Sequence, residues 1–572
     1  MLTAVGLLGS ASVLALQPRT VSGEGERIAG AELALESGDC RAASESYARA
    51  AEASRDPRVS RRATDVALGC AHLPAAWQSA QRWSSLDPEN VDSLRAAGLV
   101  ALELWRIDDA RRLFASLLAK PDVEADRALG DLLPLVTDGE HAPAAWLAFD
   151  KVVDRTTVSS ETLVLLARLA AAADNLAAAG QALELAAQKA PGIGSSASAA
   201  RLRAGIAVAS AQPEAALDAA RDAARIDPVD EAFAVAETLV DLDRTEEAYR
   251  EIERLAAFPE SRAEAERRLA LLALSSGDFA DAQRRFAARL QRGTGAAEAV
   301  FYLAVIAERR GDKDLALQSY RRLVDAGAGL LPRVRAASLL LEKGERDAAL
   351  ALLDQHLAAH RDAVVEIETA KAQLLADAGL GAEAVASIDA ALQRHPRHPN
   401  LLYQRAMLLE RAGRTREALR LFESLLEARP DEGTVLNALG YTLADRGKQL
   451  SRAERLIRRA LESRPDNAAF LDSLGWVRYR RSDPRGAVPL LERAWRLARD
   501  AEIAAHWGEV LWVAGDQAQA RMVWARALAR APDSRPLREV VERFTGPAAS
   551  PAAPTPAAPG AAASEDQPGG RP

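Results

Sequence analysis

Histidine is the residue type in this chain whose spacing suggests metal chemistry. Four of the seven histidines fall between His356 and His398. His356 and His360 are one helical turn apart, and His360 and His395 stand at matching places of a repeat. Imidazoles so placed can converge on a divalent metal, but no carboxylate or thiol stands at ligand spacing to complete a shell. The expectation is solvated helix ends, with no metal and no cofactor. Two cysteines, Cys40 and Cys70, are too few for a disulfide scaffold or a four-thiolate zinc site. A disulfide between them in an oxidising compartment and two unpaired small residues both stay open at this level. Gly192-Ile193-Gly194 has no strand before it and reads as a loop, not a phosphate cradle. The P-loop, the Gly-x-Ser-x-Gly elbow and His-Glu-x-x-His do not occur. No catalytic residue is therefore assigned, and the expectation is a protein that is not an enzyme.

The strongest uneven signal is aromatic. Five of the nine tryptophans (Trp476, Trp495, Trp507, Trp512 and Trp524) crowd the last part of the chain. Trp495 and Trp524 are expected in the core. Trp476, Tyr479 and Trp512, with Tyr441 and Tyr403 upstream, occupy places expected to face a groove, and Asn437, Asp472 and Glu509 share that face. Aromatic anchors among hydrogen-bonding groups are what a partner-binding groove uses, because they bury area at small entropic cost.

The elements that must position these residues are written as a repeat. "NALGYTLADR" (437–446) returns 35 residues later as "DSLGWVRYRR" (472–481), with Leu-Gly and then an aromatic residue in the same places. A buried-type alanine recurs at Ala43, Ala76, Ala110, Ala145, Ala179, Ala216, Ala248, Ala282, Ala316, Ala349, Ala384, Ala418, Ala453, Ala487 and Ala520, a mean period of about 34 residues. Proline stands twelve residues after many of them, as at Pro88, Pro191, Pro228, Pro396, Pro430, Pro465 and Pro532. Gly38-Asp39, Gly277-Asp278, Gly311-Asp312, Gly413-Arg414 and Gly515-Asp516 read as turns.

A 34-residue period with these marks is similar to the tetratricopeptide repeat. The physics explains the marks. Each unit is two antiparallel helices; the alanine, and the Leu-Gly pair opposite, sit where the two cross most closely, and proline ends the second helix because it lacks a backbone donor. One unit cannot bury its apolar face alone, so units stack. The reading is an all-α protein: an α-solenoid, a right-handed superhelix of about 15 repeats over 26–532, a capping helix at 533–545, and a disordered Pro/Ala-rich tail at 546–572.

Composition agrees. Alanine dominates, aromatics make up 5%, and the net charge of -8 comes from charges of both signs interleaved along 572 residues. No basic face is set aside for phosphate backbones, so nucleic acid is not an expected partner. Residues 2–16 carry no charge and end in Val13-Leu14-Ala15, a pattern of a signal or export segment over 1–16. The expectation is a protein of the cell envelope, in the periplasm or associated with the outer membrane, with membrane contact only through an amino-terminal anchor, if any.

With the repeats laid out, "LNALGYTLADR", "LDSLGWVRYRR" and "EIAAHWGEVLWVAGD" resemble a family of envelope-targeted tetratricopeptide proteins of Gram-negative bacteria, the LbcA-type lipoprotein adaptors. The resemblance implies a noncatalytic scaffold that binds a carboxyl-terminal processing protease and delivers substrates such as peptidoglycan hydrolases to it. The chain departs from the family where a lipobox would end in cysteine, since Leu14-Ala15-Leu16-Gln17 stands there. An alternative expectation for the same spiral is a scaffold for exopolysaccharide or for pilus and secretion assembly.

Overall fold

A computed structural model of the chain describes residues 23–137, 141–190, 192, 196–360, 363–532 and 534–546. The amino-terminal segment 1–16 and the tail from 547 onward, both given roles above, lie outside the described residues, as do Pro191, Ile193 and Gly194. Thirty-one helices and no strand occur among the described residues. They form fifteen antiparallel pairs and a terminal helix, Arg535–Thr545. The first described helix is Gly23–Glu36. No described helix is long and apolar enough to cross a membrane.

Each of the fifteen aligned alanines lies in the second helix of its pair with no exposed surface. Numbering the units by these alanines, unit 1 holds Ala43 and unit 15 holds Ala520. The glycines opposite are as tightly placed. A Cβ on Gly440 would lie 2.6 Å from Ile457 Cγ1 and 3.1 Å from the Ala453 carbonyl oxygen, and one on Gly475 would lie 2.7 Å from Leu491 Cγ. Contacts that short force repacking. Gly38, Gly277, Gly311, Gly413 and Gly515 take φ between 75° and 102°, the left-handed turn expected of them. Pro430 and Pro465 directly follow the C-cap residues Arg429 and Arg464 and stop their helices there.

Cys40 opens the second helix of unit 1 and Cys70 caps the first helix of unit 2. Stacking brings their Cα atoms to 5.3 Å, and the two form a disulfide. The alternative left open by the sequence, two unpaired residues, is thus not the one observed. Closing a loop with a separation of 30 residues stabilises by about 3–4 kcal/mol in the chain-entropy picture. Because units contact mainly their neighbours, that stabilisation is local. Reductant is therefore expected to speed amide exchange in units 1 and 2 while leaving units 12 to 15 unchanged; equal protection with and without reductant would refute it.

The coil also touches itself. The Arg41 guanidinium donates to the Gln393 carbonyl at 3.1 Å, and Arg429 Nη2 donates to the Glu103 carbonyl at 2.7 Å. Helix Leu450–Ser463 packs on Ala142–Val152. The Asp466 N–H donates to the Asp174 carbonyl at 2.8 Å, the Leu176 N–H to Asp466 Oδ2 at 2.9 Å, and Arg464 Nε to Asp174 Oδ2 at 2.7 Å. Arg530 pairs with Asp243. These partners are 287 to 352 residues apart, eight to ten units, so late units lie along the rim of early ones. The early side of this seam is made by the turns inside units; the late side is made by the carboxyl ends of second helices.

Asp174 shows how a turn serves the seam. It takes φ +51° where many other units, such as those turning at Gly38, Gly277 and Gly413, use glycine, a strain of about 1–2 kcal/mol that a short polar side chain tolerates best. Its carboxylate accepts from Arg464 and, at 2.9 Å, from Asn467 Nδ2. Glycine would relieve the backbone and lose both contacts.

Candidate functional site

The eight residues expected to line a groove fall into three places. Tyr403, Asn437, Tyr441 and Asp472, on the first helices of units 12, 13 and 14, line one cavity of about 810 Å³. Trp476, Tyr479 and Glu509 border a separate depression with Arg543 of the terminal helix. Trp512 lies beneath that helix, its ring 5.7 Å from Trp524 and 6.0 Å from Phe544, with the Arg521 guanidinium 4.7 Å above it.

The cavity is composite. Glu502 and Ile503 of unit 15 complete its late wall, while Asp174, Leu176 and Ala209 of units 5 and 6 form the opposite one. It exists as a cavity because the seam holds the two turns of the coil together.

Behind it stands a charged core centred on His506, which the sequence reading did not select. His506 is buried and its Nδ1 lies 2.9 Å from Asp472 Oδ2. Its ring stacks on Trp476 at 4.3 Å between centroids, with Tyr441 at 6.2 Å. Tyr479 donates to Glu509 Oε1 at 3.1 Å, and Arg543 pairs with the same carboxylate. A signal for this core was present: Glu502, His506 and Glu509 are spaced four and three apart, one face of one helix. Trp476, expected at the groove surface, is instead buried against His506, because an indole over an imidazole shields that ring from water.

Burial is the largest influence on each titrating group here. It raises the Tyr403 hydroxyl to about 12, with Glu432 adding to the effect. It also raises Tyr441, reinforced by Glu502 and Asp472, and lifts Glu502 above the usual carboxylate range against the pull of His506. For His506 burial acts downward, but attraction and hydrogen bonding to Asp472, with Glu502 and Glu509, outweigh it, and the net direction is up. A folded pKa above the unfolded one means the pair's contribution is complete below the ordinary histidine value and is lost as pH rises through the elevated one. The urea midpoint of the carboxyl-terminal units is expected to be lower at about pH 9 than at about pH 6, and Asp472→Asn should abolish the difference. A pH-independent midpoint in the unaltered protein would contradict the pair.

The histidines that first suggested a metal are placed otherwise than expected. His356, His395 and His398 are buried and not solvated; only His360 of these four is exposed. His395 and His398 are drawn in because their junction faces the turn of unit 2, where His395 lies against the Cys70 backbone and near His72. No group of three or more metal-ligating side chains converges among the described residues.

Comparison with known proteins identifies the unit. A tetratricopeptide repeat family model matches residues 267–330, 369–433 and 403–468. A TPR repeat-containing protein of Pseudomonas aeruginosa is 29% identical over 210 residues, covering 36% of this chain and 35% of the relative. The aligned part thus spans about a third of that relative's length. Among solved structures, yeast Tom70 covers 91% of this chain and 95% of its own at 13% identity and a TM-score of 0.34. A thermophilic TPR protein of Thermus thermophilus covers 32% and 97% at 22% identity and a TM-score of 0.29. The period carried by the alanines and the matched repeats describe the same helix pair: tetratricopeptide repeats occupy the matched residues 267–330 and 369–468, and the described chain is folded as an α-solenoid of such pairs.

Proposed function

We propose that the protein is a noncatalytic adaptor of the bacterial cell envelope, which holds a carboxyl-terminal processing protease and presents substrates such as peptidoglycan hydrolases to it. Tetratricopeptide arrays are protein-binding scaffolds, and their fold is usually without catalytic function of its own. The observation that carries a binding role is the composite cavity, where Tyr403, Tyr441 and Asp472 meet the rim of units 5 and 6. The envelope setting is supported by the uncharged segment 2–16, and the choice of partner by the strings quoted around Leu439, Leu474 and His506.

The test is affinity purification from envelope fractions with the unaltered chain beside Tyr441→Ala. The protease is expected with the unaltered chain and about tenfold less with the variant, as for loss of one aromatic anchor. Recovery of exopolysaccharide, pilus or secretion components instead would select the alternative scaffold. No recovered protease, with an unchanged envelope proteome after deletion, would remove the adaptor reading.

A further inference from the structure

We propose that the composite cavity is a receptor for lysine or arginine side chains, presented by an extended segment of a protein partner. This rests on the groove reading above and adds the chemistry of what enters. Glu410, Asp466, Asp472, Asp500, Glu502 and Asp174 line the cavity, against one cation, Arg464, which is already bonded to Asp174. A concave wall of one sign with low-dielectric backing focuses its field on the opening.

The carboxylates are not equally engaged. Asp472 is held by His506, Asp466 by Arg493 and the Leu176 N–H, and Asp500 caps the next helix. Glu410 has only Arg446 at 3.8 Å among its ion pairs, and Glu502 leans on the Tyr441 hydroxyl. Burial disfavours the charged form of Glu502, a cost that an incoming cation would remove. Tyr403 and Tyr441 add ring faces, which attract a desolvated ammonium or guanidinium. Independently of these charges, the side-chain oxygen of Asn437, a lining residue, is buried with no hydrogen bond, an acceptor short of a donor. The carboxylates and ring faces ask for positive charge, and the Asn437 oxygen asks for a donor. An acidic segment would meet like charge on every side.

The full-length protein is titrated by fluorescence anisotropy with a labelled alternating Ala/Arg octapeptide and its Ala/Glu counterpart. The Ala/Arg peptide should bind and the Ala/Glu peptide should not. Glu410→Gln with Glu502→Gln should weaken binding about tenfold or more. Neutralising two exposed carboxylates elsewhere, Glu184→Gln with Glu246→Gln, should change it less than twofold. Equal loss from both pairs, or equal binding of both peptides, overturns the proposal. Since the cavity variants are amide isosteres, unchanged helicity and unfolding midpoint exclude a folding cause; Tyr441→Ala, assayed with the same peptides, gives a second route that removes a ring face and keeps both carboxylates. If Tyr441→Ala still loses the envelope partner while neither peptide binds, the groove reading stands and the cationic class falls.

Discussion

Trp524→Ala is expected to destabilise the carboxyl-terminal units by about 3–5 kcal/mol, the usual cost of emptying a fully buried large aromatic site. Trp524 is 1% exposed and is stacked between Trp512 at 5.7 Å and Phe544 at 6.0 Å, so it joins the last repeat to the terminal helix. Its removal should release Arg535–Thr545, seen as early tryptic cleavage at Arg538 and Arg543 together with a lower urea midpoint. Gly508 supplies an internal check. A Cβ there would lie 2.6 Å from Trp524 Cδ1 and closer still to the indole nitrogen. Gly508→Ala alone should therefore cost about 1–3 kcal/mol of overpacking, partly offset by the helix preference of alanine. In the Trp524→Ala background the clash is gone, and the same change should become neutral or stabilising. Additive effects would mean that the two do not compete for the same space.

Arg429→Ala combined with Arg464→Ala is expected to open the coil. Arg429 is nearly inaccessible, pairs with Glu432 at 3.3 Å and donates across the seam to Glu103. Burial pushes its pKa down, as for a cation taken out of water, with Glu432 and Glu103 opposing. Truncating it removes a buried charge partner of Glu432 and the bond to the Glu103 carbonyl, a loss of about 3 kcal/mol. Arg464, about a quarter exposed with its partner Asp174, contributes less, about 1 kcal/mol at most after solvent screening. Small-angle scattering should show a larger maximum dimension and radius of gyration at unchanged helicity. Raising salt alone should move the profile slightly the same way, because exposed pairs such as Arg530–Asp243 are screened. An unchanged profile in the double variant would show that the seam does not hold the turns together. The opened chain should also lose the Asp174 wall of the cavity and, with it, peptide binding.

The repeat was legible because each unit solves the same packing problem. Ala453 and Gly440 are small for a steric reason that recurs every unit, and Gly515 turns where a Cβ would be strained. The seam was not legible. Its partners stand about three hundred residues apart, and Arg464, Asp174 and Asp243 look like any other surface charges, since nothing local distinguishes a charge that will meet the next turn of the coil. The site was partly legible for the same reason. Tyr403, Asn437, Tyr441 and Asp472 share a periodic face and line one cavity, whereas Trp512, read onto the same face, shares the period but is covered by a helix that breaks it. The wall supplied by units 5 and 6 belongs to no periodic pattern at all.

Arrays of this kind ordinarily tolerate insertion and deletion of whole copies, since each copy answers only to its neighbours. Here the disulfide-bearing turn of unit 2 meets the end of unit 11, and the turn of unit 5 meets the junction after unit 13. Adding or removing one copy between those points would shift the early rim by one rung against the late one, setting Arg464 opposite the wrong turn. The copy number between Cys70 and Arg464 is therefore under a counting constraint, and the chain is free to grow or shrink only where the second turn has no first turn beneath it.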